Sequence, residues 1–106
     1  MLRSLLLSRD DGTIRIVRRC FRDLEVELEN YAETKTAIQK AAELRFDAIV
    51  IDDSIEDARV LLERIAEFPT CNKSVRIALA EPSAKMMYDC MATYSSTETE
   101  GTFTAF

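Results

Sequence analysis

The stretch FDAIVIDDSIED, residues 46–57, runs from a short apolar segment directly into two adjacent aspartates. Residues 48–51 (AIVI) are uniformly apolar, which is typical of a central strand in a parallel sheet that is covered on both faces. Asp52 and Asp53 follow at once. Because a charge beside a core is costly unless it is compensated, this doubled negative charge needs an explanation.

Outward from this strand, apolar runs alternate with amphipathic helical patterns. The charged and apolar residues of 25–29 alternate with a period of two, as expected of a half-exposed strand near a sheet edge. Pro69 ends the third helical pattern. The predicted strands are residues 5–7, 25–29, 48–51 and 75–80, and the predicted helices begin near Thr13, Ala37, Ala58 and Met86. This order predicts βαβ units and a doubly wound parallel α/β sheet.

The pattern weakens toward the C-terminus. We expect one α/β domain over residues 1–94, followed over residues 95–106 by a polar loop and either a short fifth strand, from Thr102, or an unpaired tail. No closing helix is predicted. An apolar sheet face left uncovered in this way would be hidden by a partner or a second subunit, so we expect a homodimer.

Composition excludes several classes of function. The 106 residues give a net charge of −5 without a basic block, so we expect no direct binding to nucleic acid. The apolar run at the N-terminus is too short for a signal peptide or a membrane span, and we expect a cytoplasmic protein. Three cysteines and no histidine predict neither a disulfide framework nor a zinc site, and they exclude triads that need an imidazole base.

Acidic residues follow two of the predicted strands. Asp10 and Asp11 follow the first, and Asp52 and Asp53 follow the third. If the two strands are neighbours, these carboxylates crowd the carboxyl edge of the sheet, where open α/β sheets bind ligands. Mg²⁺ would relieve the repulsion, and a carboxylate beside such a cation can accept a phosphoryl group.

Two stretches resemble the receiver domain of bacterial response regulators, over roughly residues 3–80. LLLSRDDGTIR looks like the family's first strand and acidic turn, and RFDAIVIDD looks like its third strand. The resemblance implies a flavodoxin-like (CheY-like) fold, Asp52 as the phosphoryl acceptor, Asp10 as the second member of an acidic pair, and Mg²⁺ held by both. It also implies a two-component phosphorelay, with a histidine kinase and an output protein or domain as partners.

Three positions depart from the family pattern. Arg9 stands where the first acid of the pair is expected, which argues against Mg²⁺. Ala80 takes the place of the family's switch hydroxyl, and the family's lysine near the fifth strand has no counterpart, since Lys85 is the last lysine. Arg9 is alternatively a partner for Asp52 or Asp10, because an arginine fork suits carboxylates.

Structural roles compete with these functional ones. Asp52 is also suited to closing the turn after its strand, and Asp10 or Asp11 to capping the first helix. The methionines near Met86 are expected in the core, and the first helix's arginines on the solvated surface.

Two functions follow from these observations. The first is a receiver that accepts phosphate on Asp52. The alternative is a pseudo-receiver, which is a phosphorylation-independent interaction or dimerisation module. A carboxylate enzyme is the weakest interpretation, because no phosphate-binding glycine loop is present, and we expect no enzymatic activity.

Overall fold

The computed structural model describes residues 2–79 and 102–105. Its elements are β1 (Leu2–Leu7), α1 (Asp11–Asp23), β2 (Val26–Tyr31), α2 (Thr34–Glu43), β3 (Ala48–Asp52), α3 (Ala58–Ile65), β4 (Val75–Leu79) and β5 (Thr102–Ala105). The strands form one parallel sheet in the order β2-β1-β3-β4-β5. This is the flavodoxin-like order, in which the winding direction reverses between β1 and β3. The predicted doubly wound α/β fold is confirmed.

Side chains of the central strands alternate between the two faces of the sheet. Leu6, Val50 and Ile77 face α1 and pack with its Val17 and Phe21. The residues on the other face pack against α2 and α3 and include Leu5, Leu7, Ile49, Ile51 and Ala78. All five residues of β3 are buried, which explains why its sequence is uniformly apolar up to Asp52.

Strand β2 lies at the outer edge of the sheet and pairs with β1 in parallel. This confirms the edge position predicted from its alternating glutamates. Residues 102–105 form a strand parallel to β4, as in the strand alternative predicted for the C-terminus. The predicted fourth helix lies outside the described residues.

Helix α1 begins two residues earlier than its apolar pattern indicates. The Asp10 carboxylate accepts a hydrogen bond from the backbone N–H of Thr13, 2.8 Å away, and so caps the helix. The helix ends at Asp23 with Leu24 as its C-cap, and Glu25 then takes a positive φ of 59°, a conformation that turns the chain toward β2. Glycine is favoured at such positions because a Cβ is strained there.

Candidate functional site

The register of β1 against β3 places Ser8 beside Asp52. Leu6 pairs with Val50 and Leu7 with Ile51, so the next residues along both strands are Ser8 and Asp52. The backbone N–H of Ser8 still donates to the carbonyl of Tyr31, 3.0 Å away, which extends the β1–β2 ladder by one residue. Both side chains are therefore positioned by sheet hydrogen bonding at the carboxyl edge, where the winding reverses.

The carboxylate of Asp52 is buried, with 2% of the residue exposed, and both of its oxygens accept hydrogen bonds. The hydroxyl of Ser8 donates to Oδ2 at 2.9 Å. The backbone N–H and the hydroxyl of Ser54 donate to Oδ1 at 3.0 and 2.6 Å. A buried carboxylate is tolerated when hydrogen bonds replace its water, and these three bonds do so. The expected turn-closing role of Asp52 is confirmed by its bonds to Ser54.

Ser8 also connects Asp52 to Asp10. The backbone N–H of Asp10 donates to the Ser8 hydroxyl oxygen at 3.2 Å, while that hydroxyl donates to Asp52. The segment after β1 and the end of β3 therefore meet at one edge, as the sequence predicted. We call Ser8, Asp10, Asp52 and Ser54 the cleft cluster.

The Asp10 carboxylate is exposed and faces its own helix. Its Oδ2 accepts from the hydroxyl of Thr13 at 2.7 Å as well as from the Thr13 N–H. The hydroxyl bond, followed by the backbone bond, lowers the pKa of Asp10 from its ordinary value. The capping role expected for Asp10 is confirmed, and both hydrogen bonds to its Oδ2 come from the first turn of α1.

Arg9 is exposed and its side chain is engaged elsewhere. Its Nε donates to the carbonyl of Ala32 at 2.6 Å, and no ion pair within residues 2–79 includes it. The alternative in which Arg9 pairs with Asp52 or Asp10 is therefore not what the structure shows. Successive side chains in an extended chain point to opposite faces of the sheet. Arg9 directly follows Ser8, so its side chain points away from the face on which Ser8 meets Asp52.

The remaining acidic residues have separate partners. Asp53 forms a bidentate ion pair with Arg59, with N to O distances of 2.9 and 3.1 Å. Asp11 is exposed in the first turn of α1, where a negative charge favours the helix dipole. Neither side chain bonds to the cleft cluster. Ala80 and Lys85, which the family pattern singled out, lie outside the described residues, as do the methionines near Met86.

The donor set of the cleft cluster does not fit Mg²⁺. This cation prefers carboxylate, phosphate and water oxygens in an octahedral arrangement. Asp52 contributes a carboxylate whose oxygens are both engaged, Ser8 is a neutral hydroxyl, and Asp10 is turned toward Thr13. Among the described residues, no group of three acidic or cysteine side chains is placed to hold a metal ion.

Sequence reasoning missed Ser8 and Ser54. The sequence contained a signal for Ser8, because Leu6 and Ser8 share a face of β1 just as Val50 and Asp52 share a face of β3. Matching the two strands by acidic residues instead directed attention to Arg9 and Asp10. Ser54 was detectable as a residue two positions after an aspartate, where a turn that bonds to the aspartate side chain is common.

Other features of the described residues carry little functional information. The helices described here are all too short or too polar to span a membrane. Cys20 and Cys71 are buried, and within the described residues neither forms a disulfide. Burial raises the pKa of the Cys20 thiol, which keeps it protonated near neutral pH.

Comparisons with known proteins agree with this geometry at the level of the fold. No protein-family model matches the chain, and none of the curated proteins matches it. A response regulator from Hahella chejuensis has a similar structure, with a TM-score of 0.70 and 17% identity over 97% of this chain and 78% of that one.

Two further solved structures are similar. The receiver domain of a sensor histidine kinase from Pseudomonas aeruginosa, with magnesium coordinated in its active-site cleft, has a TM-score of 0.70 and 17% identity over 98% of this chain and 84% of that one. A response regulator in red light signalling of R. palustris has a TM-score of 0.61 and 14% identity over 97% of this chain and 79% of that one. The chain therefore has the fold of response-regulator receiver domains.

Proposed function

We propose that the chain is a signalling module with a receiver fold that binds a partner protein without phosphoryl transfer to Asp52. The observation that supports this most directly is that the hydroxyls of Ser8 and Ser54 both donate hydrogen bonds to the Asp52 carboxylate. The proposal assigns no enzymatic reaction to the chain. An output protein or domain remains the expected class of partner.

The hydrogen bonds of Asp52 oppose its use as a nucleophile. A carboxylate that attacks phosphorus must present a free lone pair in line with the leaving group. Both oxygens here accept hydrogen bonds, and the residue is 2% exposed. The bond from Ser8 draws charge from Oδ2 and so lowers its nucleophilicity. Charge on the transferred group is normally offset by a divalent cation, for which the cleft cluster has no suitable donor set.

A second candidate function is phosphoryl acceptance by Asp52 from a histidine kinase. It is favoured by the position of Asp52 at the carboxyl end of β3, beside the reversal of the winding direction. This position is where an open α/β sheet binds ligands, and burial in a cleft would protect an acyl phosphate from water.

Intact-mass spectrometry after incubation with Mg²⁺ and acetyl phosphate separates the two candidates. We expect no added phosphoryl mass on the native protein. An adduct that the Asp52→Asn variant lacks would establish the second candidate and refute the first.

Two single variants test which residue prevents Mg²⁺ from binding in the cleft, with the melting temperature as the measurement. Ser8→Asp places a second carboxylate against Asp52, whereas Arg9→Asp places one where Arg9 now reaches Ala32. If Mg²⁺ binding fails because the cleft lacks a second carboxylate, Mg²⁺ should raise the melting temperature of Ser8→Asp and leave that of Arg9→Asp unchanged. The reverse order would show that Arg9 is the residue that excludes the cation.

The homodimer expected from the sequence stays a prediction. Sedimentation equilibrium on the native chain tests it, and a monomer at all accessible concentrations would contradict it.

A further inference from the structure

Helix α1 carries a stripe of four arginines on the side away from the sheet. Arg15, Arg18, Arg19 and Arg22 recur at i, i+3, i+4 and i+7, and all four are exposed. At 100° per residue this spacing places them within one narrow arc. Val17 and Phe21 lie on the opposite side of the helix, buried against the sheet. We call these four residues the arginine stripe.

The arginine stripe places four like charges close together on one helix. Like charges three and four residues apart repel each other on a helix surface. Within the described part of the chain, ion pairs form at Arg3, Lys40, Arg59 and Arg64, and none includes the stripe. This holds although the chain has 19 acidic residues against 14 basic ones. An acidic protein thus carries four neighbouring cations that have no ion-pair partner among residues 2–79.

The surroundings of the arginine stripe limit the shape of a ligand. Arg18 and Arg22 line an open groove of about 820 Å³ whose other lining residues include Glu25 and Glu27. The positive surface is therefore one helix wide and, over seven residues, about 10 Å long. A membrane or a nucleic-acid backbone is an extended anionic surface and would also meet these glutamates, which repel it.

We propose that the arginine stripe docks an acidic helical segment of a partner protein. Carboxylates at i, i+3, i+4 and i+7 on that segment would match the stripe, and guanidinium groups bind carboxylates with two parallel hydrogen bonds. This inference rests on the proposed function, because it names the chemistry of the partner, and it does not involve Asp52.

The test uses fluorescence anisotropy with a labelled alanine-based helical peptide that carries glutamates at the four matching positions. The same peptide with glutamines is the ligand control. The stripe variant replaces Arg15, Arg18, Arg19 and Arg22 with glutamine. A matched variant removes the same charge elsewhere, by replacing Lys35, Lys40, Arg45 and Lys73 with glutamine.

We expect the native protein and the matched variant to bind the glutamate peptide with similar affinity at low salt, and the stripe variant to bind it at least about tenfold more weakly. Affinity should fall as salt rises, because the contacts are exposed ion pairs. Far-UV circular dichroism should show all variants folded, since no fully buried side chain changes.

Several outcomes would overturn the inference. Absence of binding to the glutamate peptide, equal binding of the glutamine peptide, or equal loss in both variants would each do so. Tighter binding of a DNA duplex or of phosphatidylserine vesicles would assign another occupant. Self-association that only the stripe variant loses would assign the surface to a second copy. A phosphoryl adduct on Asp52 would refute the proposed function alone, because peptide binding is measured without a phosphodonor.

Discussion

Replacing Ser8 with alanine should destabilise the protein far more than replacing Ser54, although both hydroxyls bond to the same carboxylate. Ser8 is fully buried and is the side chain that bonds to Oδ2 of Asp52. Ser54 is exposed, and its backbone N–H continues to bond to Oδ1 after the hydroxyl is removed. The first variant leaves a buried charged oxygen without a donor, whereas the second does not.

The expected magnitudes follow from these two environments. A hydrogen bond to a charged group contributes about 1.5–3 kcal/mol, and a buried acceptor left unsatisfied costs about 1–3 kcal/mol. We therefore expect Ser8→Ala to lower the free energy of unfolding by about 2 kcal/mol, and Ser54→Ala by less than about 1 kcal/mol. The Ser8 variant also loses the acceptor for the Asp10 N–H, which adds to its effect.

Urea denaturation followed by far-UV circular dichroism measures this difference. With a slope of about 1.5 kcal/mol/M, a loss of about 2 kcal/mol moves the midpoint by roughly 1.3 M. A double-mutant cycle with Asp52→Asn should give a coupling of about 1–2 kcal/mol between Ser8 and Asp52. Equal effects of the two serine variants, or a coupling below about 0.5 kcal/mol, would refute the reasoning that Ser8 satisfies the buried carboxylate.

Three further predictions concern the rest of the described chain. Glu25→Gly should raise the free energy of unfolding by about 0.5–1 kcal/mol by removing strain at φ 59°, and Glu25→Ala, which keeps a Cβ, should not; thermal or urea denaturation compares them. Asp10 should titrate below its ordinary pKa of 3.8 in a carbon-13 NMR titration, and Thr13→Val should move that pKa upward. Because the pKa of Asp10 is depressed in the folded state, its contribution to stability is complete near neutral pH and is lost as the pH falls through the folded-state pKa. Arg59→Gln should cost no more than about 1 kcal/mol and lose its effect at high salt, since its pair with Asp53 is largely exposed; denaturation at two salt concentrations tests this.

The parts of the fold that the sequence predicted are those encoded by local periodicity. The uniform apolar run before Asp52 predicted a strand buried on both faces, and the alternating glutamates of β2 predicted an edge strand. The start of α1 was placed late because the capping bond from Asp10 to Thr13, and not an apolar residue, determines it. The prediction that two acidic segments meet at one edge held because parallel neighbours end together.

The parts of the site that the sequence did not predict depend on which face a side chain occupies after its strand ends. Arg9 was matched to an acidic position by counting residues, but its guanidinium contacts Ala32, which lies in the loop between β2 and α2. No local pattern records that contact. The alternation of Leu6 and Ser8 was a usable signal, and it would have placed the hydroxyl of Ser8 against Asp52.

The presence of a hydroxyl, that of Ser8, beside Asp52 limits what the cleft gains from a ligand. Carboxylates crowded at one sheet edge repel each other, so a cation or a transferred group that relieves the repulsion stabilises the bound state. Here one buried carboxylate already accepts three hydrogen bonds, which offset its charge and leave less repulsion for a ligand to relieve. A ligand shifts a conformational equilibrium only by its difference in affinity for the two states. With little such difference available at Asp52, the proposed partner is better placed at a surface whose charges lack ion-pair partners within the described residues, and the arginine stripe of α1 is such a surface.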